Sequence, residues 1–252
     1  MGLGDEIMLA GRVRVMQQTD PRKVRVTCRG GPWWSPVYDH NPRIARPEER
    51  GEFQVLQARG ADNHRPYHTG KTPERWAYNL SFRPDVGELY FSREEAAFGA
   101  RYPGLVILEP NIKPKASPNK QWGWERWQKL ADLMRAAGLT PTQFTGARVL
   151  RGVDTVQTPS FRMACAVMAN AKACVLPEGG LHHAAAALNV RGVVIFGGFT
   201  PVELTGYAMH RNLGVSLGEA CGMRLPCRHC AAEMAKIEPE FVLQKLTEVL
   251  SA

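Results

Sequence analysis

The segment Pro177-Glu178-Gly179-Gly180-Leu181-His182-His183 brings a carboxylate, two residues without side chains and two imidazoles into one short stretch, and an alanine-rich run to Leu188 follows. A glycine turn that feeds a helix start is a ready anion site, because free N–H groups and the positive end of the helix dipole point outward. Phosphate is the natural guest of such a turn. A second constellation lies further along, Cys221-x5-Cys227-x2-Cys230 with His229 beside it. Three thiols and an imidazole have the chemistry to hold a structural zinc. Against that, His229 adjoins Cys230, a poor spacing for both to bind one ion, and a second CxxC pair is absent.

These groups need elements to position them. Ala173-Cys174-Val175-Leu176 reads as a buried strand that breaks at Pro177, and Val193-Val194-Ile195-Phe196 reads as another, ending in Gly197-Gly198. Strand, glycine turn, helix and strand in that order make the unit of a parallel α/β sheet, which binds ligands beyond the carboxyl ends of its strands. Leu105–Leu108 is a further buried strand, followed by a Lys/Pro loop from Pro110 to Gln121. Trp124–Ala137 has helical spacing of Trp124, Trp127, Leu130 and Met134, with Gly138 as its stop. Ser160 caps an expected helix through Ala171, and Pro239–Leu250 makes a closing amphipathic helix. The first hundred residues are less regular. Strand-like runs at Val24–Cys28, Phe53–Gln57 and Glu88–Phe91 alternate with the Arg-, Trp-, Asn- and Pro-containing loops Gly30–Arg50 and Ala61–Trp76. Loops of that length inside a compact domain are usually functional or mobile. A boundary is expected near 100–105.

At 252 residues, with 44% hydrophobic and 22% charged residues, the composition is that of an ordinary globular chain with one large domain or two small ones. No stretch reaches the roughly 18 apolar residues of a membrane span, and the opening residues lack the form of a signal peptide. The expectation is a soluble cytoplasmic protein, where disulfides are unusual. Cys165 and Cys174 fall in expected buried elements and read as small core residues. The net charge of +8 suits an anionic ligand. It is spread along the chain without a basic tail or basic helix, which gives little support to nucleic-acid binding. Within residues 1–105, 14 of the 16 basic residues are arginine, the side chain that grips phosphate and carboxylate bidentately.

Four features in order resemble the family 9 glycosyltransferases, the heptosyltransferase family. They are the opening Gly2-Leu3-Gly4-Asp5-Glu6, the lysine-then-tryptophan segment Asn119-Lys120-Gln121-Trp122-Gly123-Trp124, the signature Glu178-Gly179-Gly180-Leu181-His182-His183-Ala184-Ala185-Ala186-Ala187-Leu188, and the strand end Phe196-Gly197-Gly198-Phe199-Thr200-Pro201. The match is good over roughly 105–230 and thin before it. The resemblance implies an α/β, GT-B-like fold of two Rossmann-like lobes with parallel sheets. Residues 1–104 would form a reduced acceptor-side lobe and residues 105–252 the nucleotide-sugar lobe. It also implies an inverting, metal-independent transfer of a hexosyl, heptosyl or pentosyl unit from a nucleotide-diphosphate sugar to an acceptor hydroxyl. No cofactor is expected, with a zinc at Cys221, Cys227 and Cys230 as the alternative.

The resemblance assigns Asp5 as catalytic base, and a helix cap is its plainer role. Lys120 would neutralise the leaving diphosphate, against the reading of a solvated lysine in a loop that also carries Lys113 and Lys115. Gly179 and Gly180 would approach the diphosphate and offer N–H donors, and Glu178, one methylene longer than the family's aspartate, would hold donor-sugar or ribose hydroxyls. His183 matches the family histidine, and Thr200 is placed to reach a phosphate oxygen. Here the Gly-Asp loop begins at residue 2, so the strand that precedes it in the family is expected either to be lacking or to be replaced by another segment, and the first lobe is short. The loops with Trp33, Trp34, Asn41, Arg43, Asn63, Arg65 and Tyr67 are therefore candidates for an unusual acceptor site, with Arg43, Arg65 and Tyr67 as its binding residues. The acceptor is a lipopolysaccharide-type glycan or, in a variant, a modified DNA base. The rival from another class is a non-catalytic nucleotide- or nucleic-acid-binding module on a degenerate scaffold.

Overall fold

The computed structural model describes residues 2–58, 65 and 67–252; Asn63 lies outside them. The chain opens with helix α1 (Leu3–Met16), then strands β1 (Val24–Cys28), β2 (Gly31–Pro32) and β3 (Gln54–Gln57), the hairpin β4 (His68–Lys71) and β5 (Trp76–Tyr78), and helix α2 (Arg93–Gly99). The second part runs β6 (Val106–Leu108), α3 (Trp124–Ala136), β7 (Pro141–Phe144), β8 (Asp154–Val156), α4 (Phe161–Met168), β9 (Ala173–Pro177), α5 (Gly180–Ala187), β10 (Gly192–Gly197), α6 (Val202–Thr205), β11 (His210–Gly214), α7 (Arg228–Ala235) and α8 (Pro239–Leu250).

The six strands of the second part form one parallel sheet in the order β11-β10-β9-β6-β7-β8. Chain order runs outward in both directions from the β6–β9 pair, so that pair is the point at which a doubly wound sheet opens a crevice for ligands. Its central strands are buried along their whole length, as strands covered by helices on both faces must be. Helices α3 and α8 cover one face through Trp127, Leu130, Met134, Val242 and Leu246, and α4 and α5 cover the other through Val167, Met168 and Ala185. Trp122 anchors the entry to α3 by donating its indole N–H to the Ile237 carbonyl at 2.8 Å.

The first part has a smaller sheet, β2-β1-β3, in which β1 pairs parallel with β3 and antiparallel with β2. Ile7, Ala10, Val13, Val24, Val26, Tyr38 and Ile44 form its core. This is the reduced lobe that the sequence leads one to expect. Helix α1 also leans on α5, where a Cβ at Gly4 would sit 2.5 Å from the His183 ring. At this approach only glycine fits without a shift.

Two sequence expectations are corrected. Glu88–Phe91 is not a strand: Leu89 and Phe91 drop into the first core while Glu88 pairs with Arg14 and Arg43, and among the described residues no strand pairs with it. Helix α4 is capped by Ser160, whose hydroxyl accepts the Met163 N–H, but it ends at Met168 rather than Ala171. Its last turn tightens, with Asn170 and Ala171 donating three residues back to Val167 and Met168.

Candidate functional site

A cavity of about 470 Å³ opens beyond the β6–β9 crevice. Its C-terminal wall comes from the segments that follow these two strands, and its N-terminal wall from the start of α1 and from residues 65–76.

Glu109 follows β6 directly. One carboxylate oxygen accepts the Asn111 backbone N–H (2.9 Å) and side-chain amide (2.7 Å), and the other accepts the Phe144 N–H at 3.1 Å. It ties the ends of β6 and β7 together, yet burial pushes its carboxyl up to about 7, against the lowering effect of those donors. The chain then passes Lys113 and Lys115 and enters a 3₁₀ turn, Pro118–Lys120, capped by the Ser117 hydroxyl. The Lys120 ammonium pairs with the Glu178 carboxylate and stands 5.5 Å above the Phe199 ring.

Glu178 follows β9, its backbone N–H held by the Ile195 carbonyl at 2.9 Å. Burial alone would raise its carboxyl, but the cations of Lys120 and Arg65 outweigh it and hold the group ionised below the usual range. The Thr205 hydroxyl donates to its second oxygen at 3.4 Å. Helix α5 starts at Gly180, so the unpaired donors of its first turn fall beside Glu178. The Gly179 N–H is not one of them: it donates to His182 Nδ1 at 2.8 Å. That bond fixes the ring, because Nδ1 is an acceptor only if Nε2 carries the proton, which it gives to the Thr205 carbonyl at 2.8 Å. Glu178, His182 and His183 lie close enough together to suggest a metal triad, but both His182 nitrogens are already used. His183 Nδ1 meets the Tyr207 hydroxyl at 2.8 Å. Burial lowers both imidazoles, His183 furthest, so both are neutral at pH 7.

Across the cavity Asp5 sits in the first turn of α1, only 7% exposed. One of its oxygens accepts the Tyr67 hydroxyl at 2.9 Å, and the other accepts the Gly2 N–H at 3.1 Å and faces Arg65 Nε at 2.9 Å. The guanidinium lies 4.7 Å over the Trp76 ring, which fixes its plane. Burial and the Asp5 charge push the Tyr67 phenol well above its ordinary value, so it stays a neutral donor. A carboxylate has about four lone-pair positions, and three donors leave one. Asp5 therefore caps its own helix and is also equipped to take a proton from a bound hydroxyl. The next residue, Glu6, turns the other way and receives the Tyr38 hydroxyl and the Trp33 indole N–H inside the first core.

Of the residues expected from sequence, Asp5, Arg65, Tyr67, Lys120, Glu178, Gly179, Gly180 and His183 all line this one cavity. Arg43 does not: it pairs with Glu88 and Gln17 at the far end of α1. Thr200 is buried, 3.3 Å from the Tyr78 hydroxyl, and does not line this cavity. Trp33, Trp34 and Asn41 anchor their own loop, Trp34 on Asp39 and Asn41 on the Arg43 N–H. Lys113 lines the cavity although its loop reads as solvated surface, and Trp76, which orients Arg65, closes the long Ala61–Trp76 loop but is not itself singled out within it. Glu109 and Tyr207 were also missed, and the strand end before Pro110 was the only hint of the former.

The sequence pattern of glycosyltransferase family 9 (heptosyltransferase) matches residues 91–237, more than half of the chain. The crystal structure of a family 9 glycosyl transferase from Veillonella parvula superposes with a TM-score of 0.66 at 14% identity, over 99% of this chain and 94% of that one. The iron-containing dodecameric glycosyltransferase TibC from enterotoxigenic E. coli superposes at 0.60 and 14% identity, over 99% of this chain and 74% of that one. The E. coli ADP-heptose lps heptosyltransferase II gives 0.49 at 20% identity over 66% of this chain, which spans only 54% of its length. No curated protein sequence matches the chain.

Proposed function

This chain belongs to glycosyltransferase family 9, and from that premise we propose that it transfers a sugar, with inversion, from a nucleotide-diphosphate sugar to the hydroxyl of an anionic glycan acceptor. One observation carries the reading. Asp5, clamped by Arg65 and Tyr67, faces the Lys120–Glu178 pair and the start of α5 across a single cavity. The diphosphate displaces Glu178 from Lys120 and takes the first-turn N–H groups of α5 from Gly180 onward. Glu178, kept ionised, then accepts donor hydroxyls. The acceptor oxygen attacks the anomeric carbon from the face opposite the diphosphate while its proton passes to the free lone pair of Asp5. Lys120 and Lys113 neutralise the charge that grows on the departing phosphate, so these steps call on side-chain cations and no metal ion.

A cleft of about 470 Å³ lined by Lys71, Lys113, Lys115 and Arg224 has room for a compact anionic sugar, whereas a duplex needs an extended basic groove. That geometry favours the glycan acceptor over a modified DNA base. It also favours catalysis over a passive binding module, which has no need of a clamped carboxylate opposite its phosphate site.

The test has two stages. In a thermal-shift panel of nucleoside diphosphates, nucleotide sugars and DNA, a nucleotide at 100 times its Kd adds about 2.7 kcal/mol. Asp5→Asn is then expected to keep that shift while transfer falls about 10²- to 10⁴-fold. A response to DNA alone, or full transfer by Asp5→Asn, would overturn the assignment.

A further inference from the structure

Five of the six cysteines fall into two groups, with Cys28 at the edge of the first core. Cys165 and Cys174 are each surrounded by apolar side chains in the two cores that flank α4. Cys221, Cys227 and Cys230 belong to no apolar cluster among the described residues; they face one another instead. Cys221 Sγ stands 3.0 Å from Cys230 Sγ and 3.5 Å from Cys227 Sγ. A disulfide needs about 2.05 Å. Sulfurs bound at about 2.3 Å to one tetrahedral ion lie about 3.8 Å apart, so a slight spreading of the trio opens the space for an ion.

The surroundings are those of thiolate ligands. The Met223 N–H points at Cys221 Sγ (3.3 Å) and the Cys230 N–H at Cys227 Sγ (3.4 Å), and such donors stabilise sulfur in its anionic form. Cys227 is moreover the N-cap of α7, where the helix dipole favours negative charge. His229 lies outside the trio.

We propose that Cys221, Cys227 and Cys230 bind one thiolate-preferring divalent cation of the zinc class, and that this ion pins the loop between them against both walls of the cleft. Each metal–sulfur bond forms as a thiol proton leaves to solvent, with no change of oxidation state. On the donor side the pinned loop holds Asn119, the neighbour of Lys120. The Asn119 amide donates to the carbonyls of Met223 (2.6 Å) and Leu225 (2.7 Å), and its oxygen accepts the Cys227 N–H (3.2 Å). On the other side the loop receives the Trp76 N–H at the Gly222 carbonyl (2.9 Å) and gives the Arg224 N–H to the Glu74 carbonyl (2.7 Å). The ion is thus a structural node outside the reaction itself.

The full chain, purified without chelator, is expected to carry one ion by inductively coupled plasma mass spectrometry. After stripping, titration with Co²⁺ should give sulfur-to-cobalt charge-transfer bands that saturate at one equivalent. Cys221→Ser and Cys227→Ser should lose the ion and the bands with an unchanged far-ultraviolet circular dichroism spectrum, and Cys28→Ser should keep both. The site is refuted if the stripped parent gives no charge-transfer bands, or if intact-mass measurement finds a disulfide within the trio. The ion count stands or falls independently of the glycosyl-transfer reading. Its role as a node rests on that reading, and stripping should then weaken nucleotide binding about tenfold; unchanged affinity would remove the node while leaving the site.

Discussion

On the C-terminal wall of the cleft, Lys120, Glu178 and the start of α5 stand on turns that follow two neighbouring strands of a regular parallel sheet. On the N-terminal wall, Asp5 is held by Arg65 and Tyr67, which arrive on an irregular strap that leaves the smaller lobe and docks on the cysteine loop. The first wall rests on strands buried on both faces: Glu178 follows β9 directly with its N–H on the Ile195 carbonyl, and Lys120 stands on a capped 3₁₀ turn twelve residues beyond β6. The second is positioned by side-chain bonds around Asp5, by main-chain bonds between the strap and the cysteine loop, and by one close helix contact. The same cleft is therefore built by secondary structure on one side and by local chemistry on the other, and substitutions should act differently on the two.

Lys120→Ala tests the donor wall most severely. Loss of the cation opposite the leaving group is expected to lower kcat/KM about 10²- to 10³-fold, or about 3–4 kcal/mol, with most of the loss restored in Lys120→Arg. An effect under tenfold would move the diphosphate elsewhere. Glu109 tests the same wall through pH. Its carboxyl titrates at 4.5 in the unfolded chain and at about 7 in the folded one. Below about 4.5 it is protonated in both states and its contribution is fully present. As pH rises toward 7 the unfolded state releases its proton first, and the protein loses up to about 3 kcal/mol, after which the curve levels. Urea midpoints at pH 5 and pH 8 should show this fall, reduced in Glu109→Gln; equal slopes would show that the strut is not the titrating group.

Gly4→Ala probes the seam. The added methyl meets the His183 ring at 2.5 Å, an overlap expected to cost about 2 kcal/mol, read from the denaturant midpoint. Gly4→Ala with His183→Ala should recover part of that loss, because the two residues are in contact; strict additivity would argue against the seam. The smallest effect belongs to the strap. Tyr67→Phe removes one donor from Asp5 and should lower kcat about fivefold, near 1 kcal/mol, without changing donor affinity. If it changes nothing, the strap covers the site without tuning its base.

The asymmetry also governs what could be read from sequence. Apolar runs bounded by glycine and proline mark β6, β9 and β10, and capping and spacing mark α3, α4 and α8. Three sheet strands stayed hidden for identifiable reasons. β8 (Asp-Thr-Val) and β11 (His-Arg-Asn-Leu-Gly) lie at the sheet edges, where polar residues are tolerated and alternation is weak. β7 buries Gln143, whose amide donates to the Arg148 carbonyl at 2.6 Å and accepts the Leu150 N–H at 3.0 Å; its polarity disguises a central strand. On the donor wall the cavity gathers the expected Lys120, Glu178, Gly179, Gly180 and His183. On the other wall, Arg43 and Arg65 occur in similar loops of Arg, Asn and aromatic residues, yet one pairs with Glu88 and the other with Asp5. Nothing in residue order separates them, since the decision depends on where each loop crosses the rest of the fold.

The strap is docked largely through its main chain: the Trp76 N–H donates to the Gly222 carbonyl, the Arg224 N–H to the Glu74 carbonyl, and the Arg224 guanidinium to the Pro73 carbonyl. Main-chain bonds do not depend on which side chains the strap carries. Residues 68–76 are in that sense a cassette, able to change what they show to the cavity without losing their mooring. A designer seeking a new acceptor would graft there first and leave the strand-borne turns across the cleft untouched.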